Sequence, residues 1–88
     1  MEKELNSGFE IGMDLYNKEK YPAAIKFFDA FISNNTGENI TEITDAEYYG
    51  ARSALKLLNS DAEYRMTRFI LTHPGSSRIN DSYLALRT

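Results

Sequence analysis

One apolar frame occurs twice in this chain at a fixed interval. Ala24 and Ala62, Phe28 and Met66, Phe31 and Phe69, and Ile32 and Ile70 each stand 38 positions apart, and Gly12 and Gly50 keep the same interval. The surrounding letters of residues 21–32 and 59–70 otherwise share little. A recurrence of this length marks supersecondary units that stack side by side, because one such unit cannot bury its apolar face alone. Spacing within the units identifies the element. Leu5, Phe9, Gly12, Met13 and Tyr16 recur mainly at steps of three and four, with Ile11 and Leu15 widening the stripe, which is a helical period and not the alternation of a strand.

The chain therefore reads as all-α. A first helix is expected over about 3–17, ended by the charged triplet Lys18, Glu19 and Lys20. Pro22 suits the first turn of a second helix over 21–34, since proline has no N–H to lose there. That helix carries Ala24, Ile25, Phe28, Phe31 and Ile32 on one face, and the short turn makes the two helices antiparallel neighbours. Residues 35–43, NTGENITEI, read as a linker. Thr44 opens TDAE and Ser60 opens SDAE, each a capping-box pattern that predicts helices near 45–58 and 61–72. Pro74 and Gly75 stop the fourth helix, and a fifth begins near Asn80. With 88 residues there is room for one small domain. Its expected parts are unit one over 3–34, the linker 35–43, unit two over 44–74, and a partial third unit or capping helix over 79–88.

In this arrangement the residues resemble the tetratricopeptide repeat family. Gly12, Tyr16, Tyr21, Ala24, Ile25 and Phe28 fit its pattern in the first unit, and Gly50, Ala62, Met66, Phe69, Ile70 and Pro74 fit it in the second. Tyr83 and Leu86 suit the opening of a third. The sequence departs from the pattern at Asn59 and Glu63, at Gly8 or Phe9 near the usual first-helix tryptophan, and in a period four residues longer than usual. The resemblance implies a right-handed superhelical stack of helix hairpins in which glycine of one helix meets alanine of its mate, Gly12 with Ala24 and Gly50 with Ala62. It also implies a concave groove lined by the first helix of each unit, at Asn6, Phe9, Met13, Tyr16, Glu47, Ala51 and Leu55, that holds a peptide or helix of a protein partner. The run FILTHPGS is similar to segments of envelope-associated bacterial members, the barrel-assembly lipoprotein and the Tol-system partner among them. This implies a scaffold of the periplasm or cell envelope and a piece of a longer protein, with a cytoplasmic place left open. The Lys and Asn clamp by which chaperone adaptors of the family grip a carboxylate is missing, since Phe9 and Met13 stand there.

Composition narrows the function further. A net charge of -3 argues against a general nucleic-acid binder, which needs a cationic surplus on one face. Arg52, Lys56, Arg65 and Arg68 stand among Glu47, Asp61 and Glu63 and read as a solvated face, with Asp61 and Arg65 as an i, i+4 pair. The absence of cysteine removes thiolate chemistry and cysteine-type zinc sites. No apolar run is long enough to cross a bilayer, so no direct membrane insertion is expected. His73, the single histidine, precedes Pro74 at a helix end, where it reads as a terminator bonding to the last carbonyls. No carboxylate spacing suits a metal, and no glycine-rich phosphate loop occurs. No enzyme, cofactor or metal is expected from this sequence. Its aromatic residues are expected mostly in the core. The alternative to a scaffold is a homodimer formed where Tyr83, Leu84 and Leu86 lack a following neighbour.

Overall fold

The computed structural model describes residues 8–35, 37 and 39–87. Five helices follow one another: α1 (Gly8–Asn17), α2 (Tyr21–Asn34), α3 (Ile40–Leu57), α4 (Ala62–Thr72) and α5 (Ile79–Arg87). There is no strand among the described residues. The all-α reading holds, and α2 spans the residues expected of it. The expected opening of the first helix at 3–7 lies outside the described residues.

Each helix packs against its successor, and α1 also reaches α3 while α3 reaches α5. By contrast α2 and α4 make no close backbone approach. The odd helices thus form a continuous row, and the even helices sit behind it, splayed apart. A body measuring 43 × 27 × 18 Å follows, its thinnest dimension that of two helix layers. The central member, α3, touches all four others. It buries Ala46, Tyr48, Gly50, Ala51, Ser53 and Ala54, a set that runs round most of its circumference. Small side chains make this possible by letting neighbours close in from several sides.

Two apolar clusters form the core. One gathers Ala24, Phe28, Phe31 and Ala46 with Phe9, Met13, Tyr16 and Ile43 against it, and the other gathers Tyr48, Ala51, Met66 and Phe69 with Leu55, Ile79 and Leu86. Tyr49 packs on both. Its ring meets Tyr16 edge-on at 4.9 Å, Tyr48 edge-on at 5.1 Å, and stacks with Phe28 at 6.4 Å. Such ring geometries add to the area these residues bury. The buried hydroxyls of Ser53 and Ser82 are satisfied by the carbonyls four residues back, of Tyr49 and Arg78, each at 2.8 Å.

Gly12 marks a close approach, though the atoms nearest to it belong to Phe28 and not to Ala24, and Gly50 does not mark one. A Cβ at Gly12 would lie 2.7 Å from Cε1 and 2.8 Å from Cδ1 of Phe28, whose ring is fully buried. At Gly50 the near atoms are Phe28 Cβ at 3.8 Å and an Arg65 guanidinium nitrogen at 3.7 Å, with no Ala62 atom within 4 Å. The Phe28 ring on α2 therefore occupies the space that Gly12 leaves on α1, while its Cβ makes ordinary contact beside Gly50 on α3.

Both capping boxes are also overturned. Thr44 lies inside α3, where its hydroxyl donates to the Ile40 carbonyl at 2.8 Å. The helix starts a turn earlier because Ile43 packs on the first cluster, and burial of that side chain outweighs a cap. The linker shrinks accordingly. At α4 the cap position belongs to Asp61, which makes no side-chain cap bond and gives its carboxylate to Arg65 Nε at 2.9 Å.

Each hairpin turn closes in the same way. The N–H of Lys20 donates to the Leu15 carbonyl and that of Glu19 to Tyr16, just as Asn59 donates to Ala54 and Leu58 to Leu55. These are Schellman closures, which need a left-handed residue. Glu19 (φ 62°) and Leu58 (φ 58°) supply it without glycine, at about 1–2 kcal/mol each.

Gly12→Ala is expected to destabilise the fold by about 1–3 kcal/mol, because the buried Phe28 ring must move to admit the methyl. Gly75→Ala, where a Cβ meets no atom within 4 Å, serves as the near-neutral control. Urea unfolding of both variants checks this, with a Gly12→Ala midpoint equal to wild type as the contrary result.

Candidate functional site

Ion pairs bind the splayed outer layer and so decide which surfaces remain open. Arg65 on α4 reaches Asp29 on α2 with both terminal nitrogens, at 3.1 and 2.9 Å, while its Nε holds Asp61. The i, i+4 pair expected with Asp61 is present, and Asp29 is the partner the sequence gave no sign of. Hydrogen bonds to Asp29, offset by partial burial, keep the Arg65 guanidinium well above the ordinary arginine range. Ile32, Tyr64, Arg68 and Phe69 line a cleft of about 260 Å³ beneath this bridge. Its central polar groups are already satisfied by one another.

A second set fastens α5 to α3. Arg78 donates to Asp45 at 2.9 Å, and its guanidinium lies 5.0 Å from the ring centres of both Tyr48 and Tyr49. A cation over two ring faces gains from both the quadrupole and the burial of its flat surface. The Asp45 hydrogen bond raises the Arg78 pKa above its ordinary value. His73 is the residue that follows α4, and its N–H donates to the Phe69 carbonyl, as a terminator should. Its ring, however, pairs through Nε2 with Glu47 of α3 and lies 4.9 Å from the Phe69 ring. The side-chain partner is thus a carboxylate and not a carbonyl. No group of three or more metal-ligating side chains occurs among the described residues.

The expected groove residues divide sharply. Asn6 lies outside the described residues. Phe9 and Met13 pack against the first cluster, with the Phe9 ring 6.2 Å from Phe28 and 5.7 Å from Phe31. Tyr16 is held between Tyr21 and Tyr49, and burial raises its pKa. Glu47 is engaged by His73. Ala51 has no exposed surface at all, which removes it as a contact for any partner. Its burial follows from the central place of α3, against which helices close from several sides. Glu47 also lines the cleft between α2 and α4, and Leu55 lines a separate surface hollow.

That hollow, about 350 Å³, sits between the last turns of α3 and α5. Leu55, Ala85 and Leu86 supply its apolar lining, continuous with the second core cluster. Arg52 and Lys56, one turn apart on α3, add positive charge, and Glu63 of α4 adds one carboxylate. Arg52 donates to the Tyr48 hydroxyl at 3.1 Å, which holds its pKa above the ordinary value. Leu58 completes the lining with 89% of its surface exposed. Sequence reasoning set Arg52 and Lys56 down as a solvated face and passed over Leu58, which directly follows α3, although all three fall close to Leu55 in the chain.

Comparison with known proteins returned no match, whether to a family model, a curated sequence or a solved structure. The geometry therefore stands on its own.

Two outcomes test this assignment of roles. In a double-mutant cycle, Asp29→Asn and Arg65→Met should show a coupling of about 0.5–2 kcal/mol by chemical denaturation, reduced in high salt because both side chains are partly solvated. Phe9→Ala should lower stability by about 1–3 kcal/mol, the cost of removing a half-buried core ring. A Phe9→Ala chain as stable as wild type would return that residue to the surface.

Proposed function

We propose that this chain is a non-enzymatic protein-interaction scaffold of the tetratricopeptide type, holding a peptide or helical segment against its first helices. The observation that carries the reading is the pattern of helix neighbours. Odd helices touch in sequence, each even helix backs its own hairpin, and α2 stays clear of α4. A stack curved toward its odd helices has this connectivity, and a closed up-and-down bundle does not. The Schellman turn recurring in both hairpins supports the same reading. So does the hollow on α3 and α5, which lies on the row of helices where such a partner would sit. We place the protein in the bacterial periplasm or cell envelope, as a piece of a longer repeat protein, on the strength of the FILTHPGS segment. None of the described helices is long and apolar enough to cross a membrane.

A second reading, homodimerisation through α5, is favoured by one specific feature. Leu86 turns inward, but Tyr83 and Leu84 remain 52% and 54% exposed. Two adjacent apolar side chains of this size on a terminal helix suit a self-complementary contact.

Sedimentation over a wide range of concentrations separates the two. The scaffold reading expects a monomer that captures a defined polypeptide, in constant ratio, from envelope or cytosolic extract. Concentration-dependent dimerisation abolished by Tyr83→Ser and Leu84→Ser, with no polypeptide captured, would decide for the homodimer.

A further inference from the structure

We infer that the hollow between the ends of α3 and α5 is built for an acidic peptide, one that inserts an aliphatic or aromatic side chain flanked by carboxylates. This rests on the scaffold reading above and names the chemistry of its partner. Three features converge. The lining formed by Leu55, Ala85 and Leu86 is apolar and open to solvent over about 350 Å³, enough for one large side chain. Charge at this site is less negative than in the chain as a whole. The protein carries a net charge of -3, yet the lining holds two cations, Arg52 and Lys56, against one carboxylate, Glu63, with Asp81 nearby. Lys56 is exposed and makes no ion pair among the described residues, and Arg52 spends one N–H on the Tyr48 hydroxyl while Asp81 lies within its field. The remaining donors of both side chains are available to a visiting carboxylate.

Leu58 is the third feature. Its left-handed backbone would suit glycine or asparagine, and its side chain is almost wholly in water. Leucine is thus doubly unfavourable for the free chain. The same left-handed closure occurs at Glu19 with a charged side chain, so it is the exposed apolar side chain that sets Leu58 apart. Seated beside Leu55 and Lys56, the Leu58 side chain can close over an inserted apolar group and be desolvated with it. In the cleft between α2 and α4, by contrast, the central cation Arg65 is already held by two carboxylates, and only Arg68 at its edge is exposed.

The test uses the full chain and a peptide of sequence Gly-Glu-Asp-Leu-Phe-Glu-Asp-Gly, blocked at both ends. Its counterparts carry lysine, or glutamine and asparagine, in place of the four acids. Amide chemical shifts followed by NMR at low salt should move at Leu55, Lys56, Leu58 and Ala85 with the acidic peptide. Binding should weaken by about tenfold or more for the lysine version, and fall with added salt. Lys56→Glu should reverse the preference. Leu58→Gly should leave the melting temperature unchanged or raised, since it relieves the strain, yet weaken the acidic peptide several-fold. A rise in stability together with a loss of affinity is not expected of a residue with a structural role only. Equal binding of acidic and neutral peptides in this hollow overturns the charge assignment and leaves a peptide-binding scaffold standing. Shifts confined to other helices, undiminished affinity of Leu58→Gly, or no binding by any of the three peptides overturns the inference at its base.

Discussion

The fold depends on how three helices share Phe28. The ring rises from α2 into the space left by the missing side chain of Gly12, and its Cβ passes close to Gly50. Because the ring is wholly enclosed, its position fixes two distances at once, α1 to α2 and α2 to α3. Dense packing tolerates little adjustment at such a point. The rest is built outward from it. Phe9 and Phe31 pack about the same cluster, Tyr49 links that cluster to the second one, and Met66 and Phe69 carry the second toward α5.

Polar contacts act at the margins of this core, and each crosses between helices that the apolar clusters alone would leave loosely oriented. Arg65 spans α2 and α4, Arg78 ties the approach to α5 onto α3, and the Glu47–His73 pair fastens the end of α4 to α3. All are partly solvated, so their contribution lies in fixing direction more than in adding large stability. Aromatic faces beneath Arg78 make that one the firmest of the three.

Much of the fold was legible from residues 9–34 and 59–74, where periodicity, Pro22 and Pro74 gave helices of the right kind in the right order. Local signals failed where tertiary burial outranked them. Thr44 has the look of a cap, but Ile43 beside it had an apolar cluster to join, and the helix grew back to Ile40. Tyr48 and Ala51 escaped a one-faced reading because α3 has neighbours on several faces. A clue was present in the density of Ala, Gly and Ser along that helix. Gly12 was read correctly as a sign of close packing and Gly50 was not, and the filler at Gly12 was missed, since nothing local to it indicates which side chain will arrive from α2. For the candidate site, helical phase placed Leu55 but could not say that Phe9, Met13 and Tyr16 would be half-buried against the first cluster. The pairing of Arg65 with Asp29 joins residues 36 positions apart and had no local mark.

The open gap between the even helices has a mechanical consequence. Bending the row of odd helices barely changes the spacing along that row, whereas behind it the same rotation is magnified, as in a fan held at its rivet. Asp29 and Arg65 stand across the widening side, so any partner that flexes the molecule must stretch or compress this one solvated contact first. Movement of α2 relative to α4 is therefore restrained by a strut that ions in solution can soften, leaving the aromatic centre undisturbed.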